Sequence, residues 1–471
     1  MMTPCKWRRG RAPYGMTRLE DAPYLRGPHR PVDGEHDACE LQPSEGELPT
    51  WLSGQFVRNS GNPRFAPPGR YHWFDGDGLL HGVELREGRA TYRSRFVRTR
   101  AYELEEEAGR ALWGGLLEPL DPRHPHGPIK DTANTDVIVH NGVVLATWWL
   151  SGQPMAIEVP ELTTRGPETF GGALRHSMCA HPKVCPRTGE LFFFGFDLLR
   201  KPYYHFGCVS AEGELRYVQE VDLPRAYVAH DIAISENYVV LLDLALGYDR
   251  AALAQGKRKI GFDRSVPARF GIAPRAGGEI RWFEANPCYV YHTINAHEEG
   301  DQIVLTACRI EDPVPSELAR DSARLDSISL EPYLYRWTFD LSSGAVREEQ
   351  LDERPTEFPR AADALLTTDL RFAYAPRVAP REDLLFDGLI KYDLRSGAAT
   401  TFELEQGFLG EVVFVPEPGK GDEDAGVLVT LTSSDEGSEL LVLDASDLGV
   451  RCRAPLPRRV QPGFHACWAP L

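Results

Sequence analysis

Four of the 14 histidines stand in contexts that invite chemistry. Ala180-His181-Pro182 and Ala229-His230-Asp231 each precede a strand-like run. His292 lies inside Tyr289-Val290-Tyr291-His292-Thr293-Ile294, and His465 sits between Phe464 and Ala466 near the C-terminus. Imidazole is neutral at pH 7 and offers a good nitrogen lone pair. Four that converge suit a first-row transition metal, with iron, copper and zinc all chemically acceptable. On an octahedral ferrous ion, four protein ligands would leave two positions for dioxygen, substrate or water. A lone histidine beside apolar residues is ordinarily a satisfied core or surface group. His72, His81, His176 and His297 are read that way.

Convergence requires elements that point four distant residues at one place. Strand signals dominate from residue 50 onward: Val137-Ile138-Val139, Leu191 to Phe194, Tyr238 to Leu242, Gln302 to Leu305, Val412 to Val415 and Gly426 to Leu431. Each is short, rich in β-branched and aromatic residues, and bounded by turn formers. Asn141-Gly142, Gly189, Gly213, Gly277-Gly278, Gly344 and Gly397 supply the positive φ that tight turns need. Helical pattern is scarce; the best stretch runs from Tyr102 to Trp113, with smaller candidates at 250–255 and 315–319. No Pro- or Ser-rich linker divides the chain. The reading is a tail over residues 1–45, partly disordered, followed by one all-β domain over 46–471. A β-propeller hides the sheet edges of so long a β domain by radial repetition, and its length allows about seven or eight blades. The intervals from His181 to His230 and from His230 to His292 are each about one blade, and the interval to His465 spans about three. Equivalent places on different blades would aim the four imidazoles at the central axis.

Composition narrows the function classes. With 52 Lys+Arg against 69 Asp+Glu the net charge is −17, which argues against a nucleic-acid partner. The 42% hydrophobic content excludes a disordered chain. The 9 cysteines are odd in number and form no CxxC pair, so a zinc site or a disulfide framework is disfavoured and a reducing cytoplasm is expected. No apolar run is long enough to span a bilayer. Residues 1–15 carry Lys6, Arg8, Arg9 and Arg11 without an acid. They read either as a transit peptide or as a disordered tail ahead of a working start at Met16. Phe74-Asp75-Gly76-Asp77-Gly78 lacks the later ligands of a calcium loop and is read as a tight turn ending a blade strand.

Several segments in order carry a family likeness: Gly54 to Pro63, Tyr71 to Gly82, Asn134-Thr135-Asp136-Val137, Ala180-His181-Pro182-Lys183, His292 to Ala296, Glu357-Phe358-Pro359-Arg360, Gly410 to Pro416 and Gly463 to Ala466. With them, from about residue 50 to 471, the chain resembles the carotenoid cleavage oxygenases. The resemblance implies a seven-bladed propeller, a few helices and loops capping the metal face, and Fe(II) on the axis. It maps the metal ligands onto His181, His230, His292 and His465. It also implies that Glu357 and Glu411 hydrogen-bond His292 and His465, and that the methyl of Thr135 restricts an open coordination position.

One element of the family pattern is missing. The glutamate that would support His230 falls at Trp149 or Leu150, neither acidic. A backbone carbonyl, a water, or a nearby acid such as Asp231 or Glu158 would then substitute. The family's cleavers of phenolic stilbenes carry a lysine just before that glutamate, to engage the 4-hydroxyl; here the position is Trp148. An indole donates one N–H and cannot ionise a phenol. The expected activity is therefore Fe(II)-dependent insertion of dioxygen across a conjugated C=C bond of a carotenoid or apocarotenoid, giving two carbonyl products. The alternatives are a stilbene- or phenylpropene-cleaving dioxygenase and a non-catalytic polyene-binding propeller. A lipid-dissolved substrate adds a peripheral membrane contact, for which Leu246–Phe270, with Lys257, Arg258 and Lys259, is the candidate surface.

Overall fold

A computed structural model describes residues 23–150, 152–249, 251–252, 260–314, 331–381 and 383–471. The chain folds as a seven-bladed β-propeller. Successive antiparallel meanders form the blades, so chain order and spatial order coincide. One runs Asp136–His140, Val143–Thr147, Met155–Glu158, Thr163–Pro167; the next runs Lys183–Val184, Leu191–Phe196, Tyr204–Val209, Leu215–Val221. The third begins at Ile232–Ile234, the fourth at Tyr289–Glu299, the fifth at Phe372–Val378 and the sixth at Val413–Pro416. The seventh joins the two ends of the propeller. Its strand Ser53–Arg58 pairs with Asp77–Arg86 on one side and with the C-terminal Ala466–Ala469 on the other. His36–Leu41 adds an outer strand to this blade, and Glu45–Gly46 pairs with Val450–Pro455 of its neighbour.

Burial between blades holds the ring together. Phe270 packs 5.3 Å from Trp337 and 5.1 Å from Phe339, all fully buried between adjacent sheets. Each such side chain is worth roughly 1.5–3 kcal/mol of transfer free energy. The turns between strands follow the sequence signals. Asn141 and Gly142 take φ of 48° and 71°, the two left-handed positions of a two-residue hairpin turn. A Cβ at Gly142 would meet open space, so only backbone strain opposes it. Gly142→Ala is expected to cost about 1 kcal/mol, read as a lower denaturant midpoint with an unchanged slope.

Two sequence expectations shift. The helix spans Arg100–Ala108 rather than Tyr102 to Trp113. Thr99 caps it by accepting the Tyr102 N–H, and Gly109 ends it at φ 65°. Cap chemistry thus overrode the apolar spacing that reached on to Trp113. The acidic run at Phe74–Gly78 opens a strand instead of ending one: a 3-10 turn over Trp73–Asp75 leads into Asp77–Arg86. Its carboxylates serve the fold. Asp75 accepts the His72 and Leu116 N–H groups, and Asp77 pairs with Lys130 at 2.6 Å. His81 is a satisfied core group between Ser60 and Tyr92. The helix candidates at 250–255 and 315–319 lie, except for residues 251–252, outside the described residues.

Candidate metal centre

The candidate residues come from all seven blades, each from the start of an inner strand, from within one, or from the segment before it. His181 and His230 stand two residues before the inner strands Lys183–Val184 and Ile232–Ile234. His292 lies within Tyr289–Glu299, where a double register shift between Val290, Thr293 and Asn295 marks a bulge. Bulges re-aim a side chain without ending a strand. His465 directly precedes Ala466–Ala469, Thr135 directly precedes Asp136–His140, and Glu411 comes two residues before Val413–Pro416. Glu357 stands in the segment whose neighbours Thr356 and Arg360 bridge to Arg377 and Tyr374.

The four imidazoles meet. Ring centroids of His181 lie 4.9 Å from His230, 4.8 Å from His292 and 4.4 Å from His465. His292 lies 5.0 Å from His230 and 4.6 Å from His465. The ligand nitrogens of His181, His292 and His465 all fall within 4.8 Å of one another. All four rings are buried. Burial, helped by the neighbouring imidazoles, holds His181, His230 and His292 well below the usual histidine range. Burial likewise depresses His465 to about 3. Protons therefore do not compete with a metal for these lone pairs at neutral pH.

Two rings carry carboxylate partners. Glu357 Oε2 lies 2.5 Å from His292 Nδ1 and accepts the Phe358 N–H at 2.6 Å. Glu411 Oε1 lies 3.0 Å from His465 Nδ1, and Oε2 accepts the Ala466 N–H at 2.6 Å. Such contacts fix the tautomer and turn Nε2 toward the axis. Burial raises Glu357 well above the carboxylate range and Glu411 to about 7, the latter despite Arg360 beside it. A buried carboxyl of this kind regains its charge when a cation binds next to it.

His230 has no such partner. Its Nδ1 is buried without a hydrogen bond. Neither nearby acid substitutes for the missing glutamate. Asp231 is spent on Lys183, at 2.7 Å, and on the Thr293 backbone N–H, at 2.7 Å. Glu158 is exposed and pairs with Arg165. Trp149, one of the two positions where the missing glutamate would fall, packs its ring 5.2 Å from Phe74. The hydroxyl of Thr135 donates to Asn134 Oδ1 and accepts the Trp149 N–H, which leaves its methyl as the face without a polar partner.

The donor set fits a divalent transition ion. Nε2 of His181 and of His292 is buried with no hydrogen bond, an arrangement that costs free energy unless something occupies the centre. Aromatic rings surround the cluster: Phe358 packs 4.4 Å from His465, Tyr291 5.0 Å from His230, and Trp73 stacks 4.3 Å from Phe464. A mainly apolar cleft elsewhere in the fold is lined by Phe65, Pro68, Tyr71, Trp113, Ile129 and Trp148. A cavity of about 280 Å³ opens on the cluster, lined by His181, His292 and His465 with Asp136, Lys183 and Arg360 among its polar groups. Sequence reasoning named the four histidines and both glutamates but passed over Asp136. Its signal was an acid directly after Thr135, at the head of an inner strand.

The sequence profile of the retinal pigment epithelial membrane protein family matches residues 29–470. A carotenoid 9,10(9′,10′)-cleavage dioxygenase of Crocus sativus is 34% identical, over 94% of this chain and 88% of its own length. The crystal structure of a lignostilbene dioxygenase from Pseudomonas brassicacearum superposes with a TM-score of 0.87 at 28% identity, over 96% of this chain and 99% of that one. A cobalt-substituted ACO of Synechocystis superposes with a TM-score of 0.82 at 26% identity, over 94% of this chain and 97% of that one.

Proposed function

The chain belongs to the family of the retinal pigment epithelial membrane protein and the carotenoid cleavage oxygenases; from that premise we propose that this dioxygenase cleaves one conjugated C=C bond of a carotenoid or apocarotenoid at a ferrous ion held by His181, His230, His292 and His465. The observation that carries the proposal is the convergence of four buried, neutral imidazoles, two of them with orphaned Nε2 atoms. A ferrous ion in that place supplies the binding and activation of dioxygen. Glu357 and Glu411 hold His292 and His465 in one tautomer. The methyl of Thr135 narrows the space left beside the rings. The aromatic wall excludes water and offers flat surfaces to a polyene. One oxygen atom of dioxygen ends on each carbon of the broken bond.

Trp148 supports an apolar substrate. It lines the cleft where a phenol-binding lysine would stand, and it packs with Leu116 and Cys179. The stilbene reading draws on the likeness to the lignostilbene dioxygenase. Loading the protein anaerobically with Fe(II), then adding dioxygen with β-carotene, apocarotenals or resveratrol, separates the two. Aldehydes from the polyenes, abolished by a chelator, are the expected result. Cleavage of resveratrol alone would move the assignment to stilbenes, and no product from any of the three would overturn both.

No helix among the described residues is long and apolar enough to cross a membrane. A polyene must still be drawn from lipid, so the proposal includes a peripheral membrane contact. Ile129, 43% exposed on the cleft wall, supports a lipid-facing mouth there. The basic cluster Lys257, Arg258 and Lys259 of the candidate surface lies outside the described residues.

A further inference from the structure

We propose that Asp136 is a positioning residue for His181, so that three carboxylates still serve the four imidazoles although none reaches His230. The proposal rests on the metal reading above. Asp136 Oδ2 accepts the backbone N–H of His181 at 3.1 Å and lies 3.6 Å from Nδ1 of the same residue. Its Oδ1 accepts the Val137 N–H at 2.8 Å. The carboxylate is therefore fixed from below and touches both the main chain and the ring of one ligand.

Two features show why His181 needs such a hold. It adopts φ of 65°, a left-handed conformation that a non-glycine residue keeps only when its surroundings enforce it. Among the described residues, His181 is also the one basic side chain within ion-pair distance of Asp136. The nearby cations are spent elsewhere: Lys183 on Asp231, and Arg360 on Asp363 and Glu411.

The opposite side of the ring explains the redistribution. Neither Trp149 nor Leu150, where the family glutamate would fall, carries an acid, and the Trp149 backbone is committed to Thr135 and Cys179. Asp136 follows Thr135 directly, so its carboxylate enters the cluster from the same blade but meets the next ligand round the ring. The 3.6 Å separation exceeds a hydrogen bond. With a cation held by Nε2, the Nδ1 proton would be the polar group of the ring left to satisfy, and the Asp136 carboxylate is the acceptor beside it.

Asp136→Asn separates this role from a purely structural one. The amide can accept from the His181 N–H or from the Val137 N–H but not from both, so the metal-free variant is expected to melt at a lower temperature and the metal readouts carry the test. The expected result is Co(II) affinity lowered about 10–100-fold and an altered Co(II) absorption spectrum, with Asp136→Glu recovering part of both. A variant that binds Co(II) with wild-type affinity and an unchanged spectrum would overturn the proposal. Should the variant not fold, the wild-type protein decides by NMR after Zn(II) loading. Strongly downfield Nδ1 protons are expected for His181, His292 and His465 and not for His230; a His181 proton without that shift would overturn it. Wild-type protein that takes up neither metal would sink the metal reading and this inference with it.

Discussion

Replacing His292 by alanine is expected to lower metal affinity by about 10³-fold or more and to abolish cleavage, while the protein still folds. The magnitude follows from comparison with outer partners, whose loss costs about 10–100-fold. A direct ligand contributes the bond itself. His292 stands close to all three others, its ring 4.8 Å from His181, 5.0 Å from His230 and 4.6 Å from His465. Folding survives because the group left behind is not a buried charge. Burial already holds Glu357 well above the carboxylate range, so it stays a neutral acid when its imidazole is gone. His230→Ala is expected to cost less affinity. Its Nδ1 has no partner to orient it, and its nitrogens stand outside the tight His181, His292 and His465 group. Isothermal titration of both variants with Co(II), with turnover on the same samples, checks the order. A His292→Ala protein that still takes up metal and cleaves substrate would remove this residue from the ligand set.

The turn and strand signals were legible because they are local. Asn141-Gly142, Gly189, Gly213 and Gly344 all take the positive φ their residue types suggested. The four histidines were legible for a different reason: three stand just before an inner strand and His292 lies within one, and strand signals can be read without knowing what they face. The sevenfold regularity of the site was not. The blades contribute a threonine, four histidines and two glutamates at differing offsets from their inner strands, so no repeat appears in the residues themselves. The bulge that aims His292 was equally hidden, because register is a property of the pair of strands and not of either one. The substitutes considered for the missing glutamate failed on geometry invisible in sequence. Asp231 turned to Lys183, and Glu158 turned outward to Arg165. Asp136 was overlooked because adjacency to Thr135 gave no hint that its carboxylate reaches a histidine on the following blade.

Glu357 and Glu411, both partners of a histidine, should behave differently when each is changed to its amide. Glu357 puts both of its contacts on one oxygen: Oε2 lies 2.5 Å from His292 Nδ1 and 2.6 Å from the Phe358 nitrogen, while Oε1 is buried without a partner. The single oxygen of a glutamine can accept both, and its NH2 can take the place of the idle Oε1. Glu357→Gln therefore removes charge and little else. Metal affinity is expected to fall about 10–100-fold with no change in the melting temperature of the metal-free protein. Glu411 uses both oxygens, one on His465 and the other on the Ala466 N–H, with Arg360 Nη1 3.5 Å away. An amide cannot accept at both ends. In Glu411→Gln a donor must face either the Ala466 N–H or the His465 Nδ1 proton, and leaving a buried donor unpaired costs about 1–3 kcal/mol. This variant should lose metal affinity and melt at a lower temperature even without metal. Thermal unfolding of the two metal-free variants, followed by Co(II) titration, makes the comparison. Equal losses of melting temperature would mean that Glu357 is bound into the fold as tightly as Glu411, and that its charge is not its main contribution.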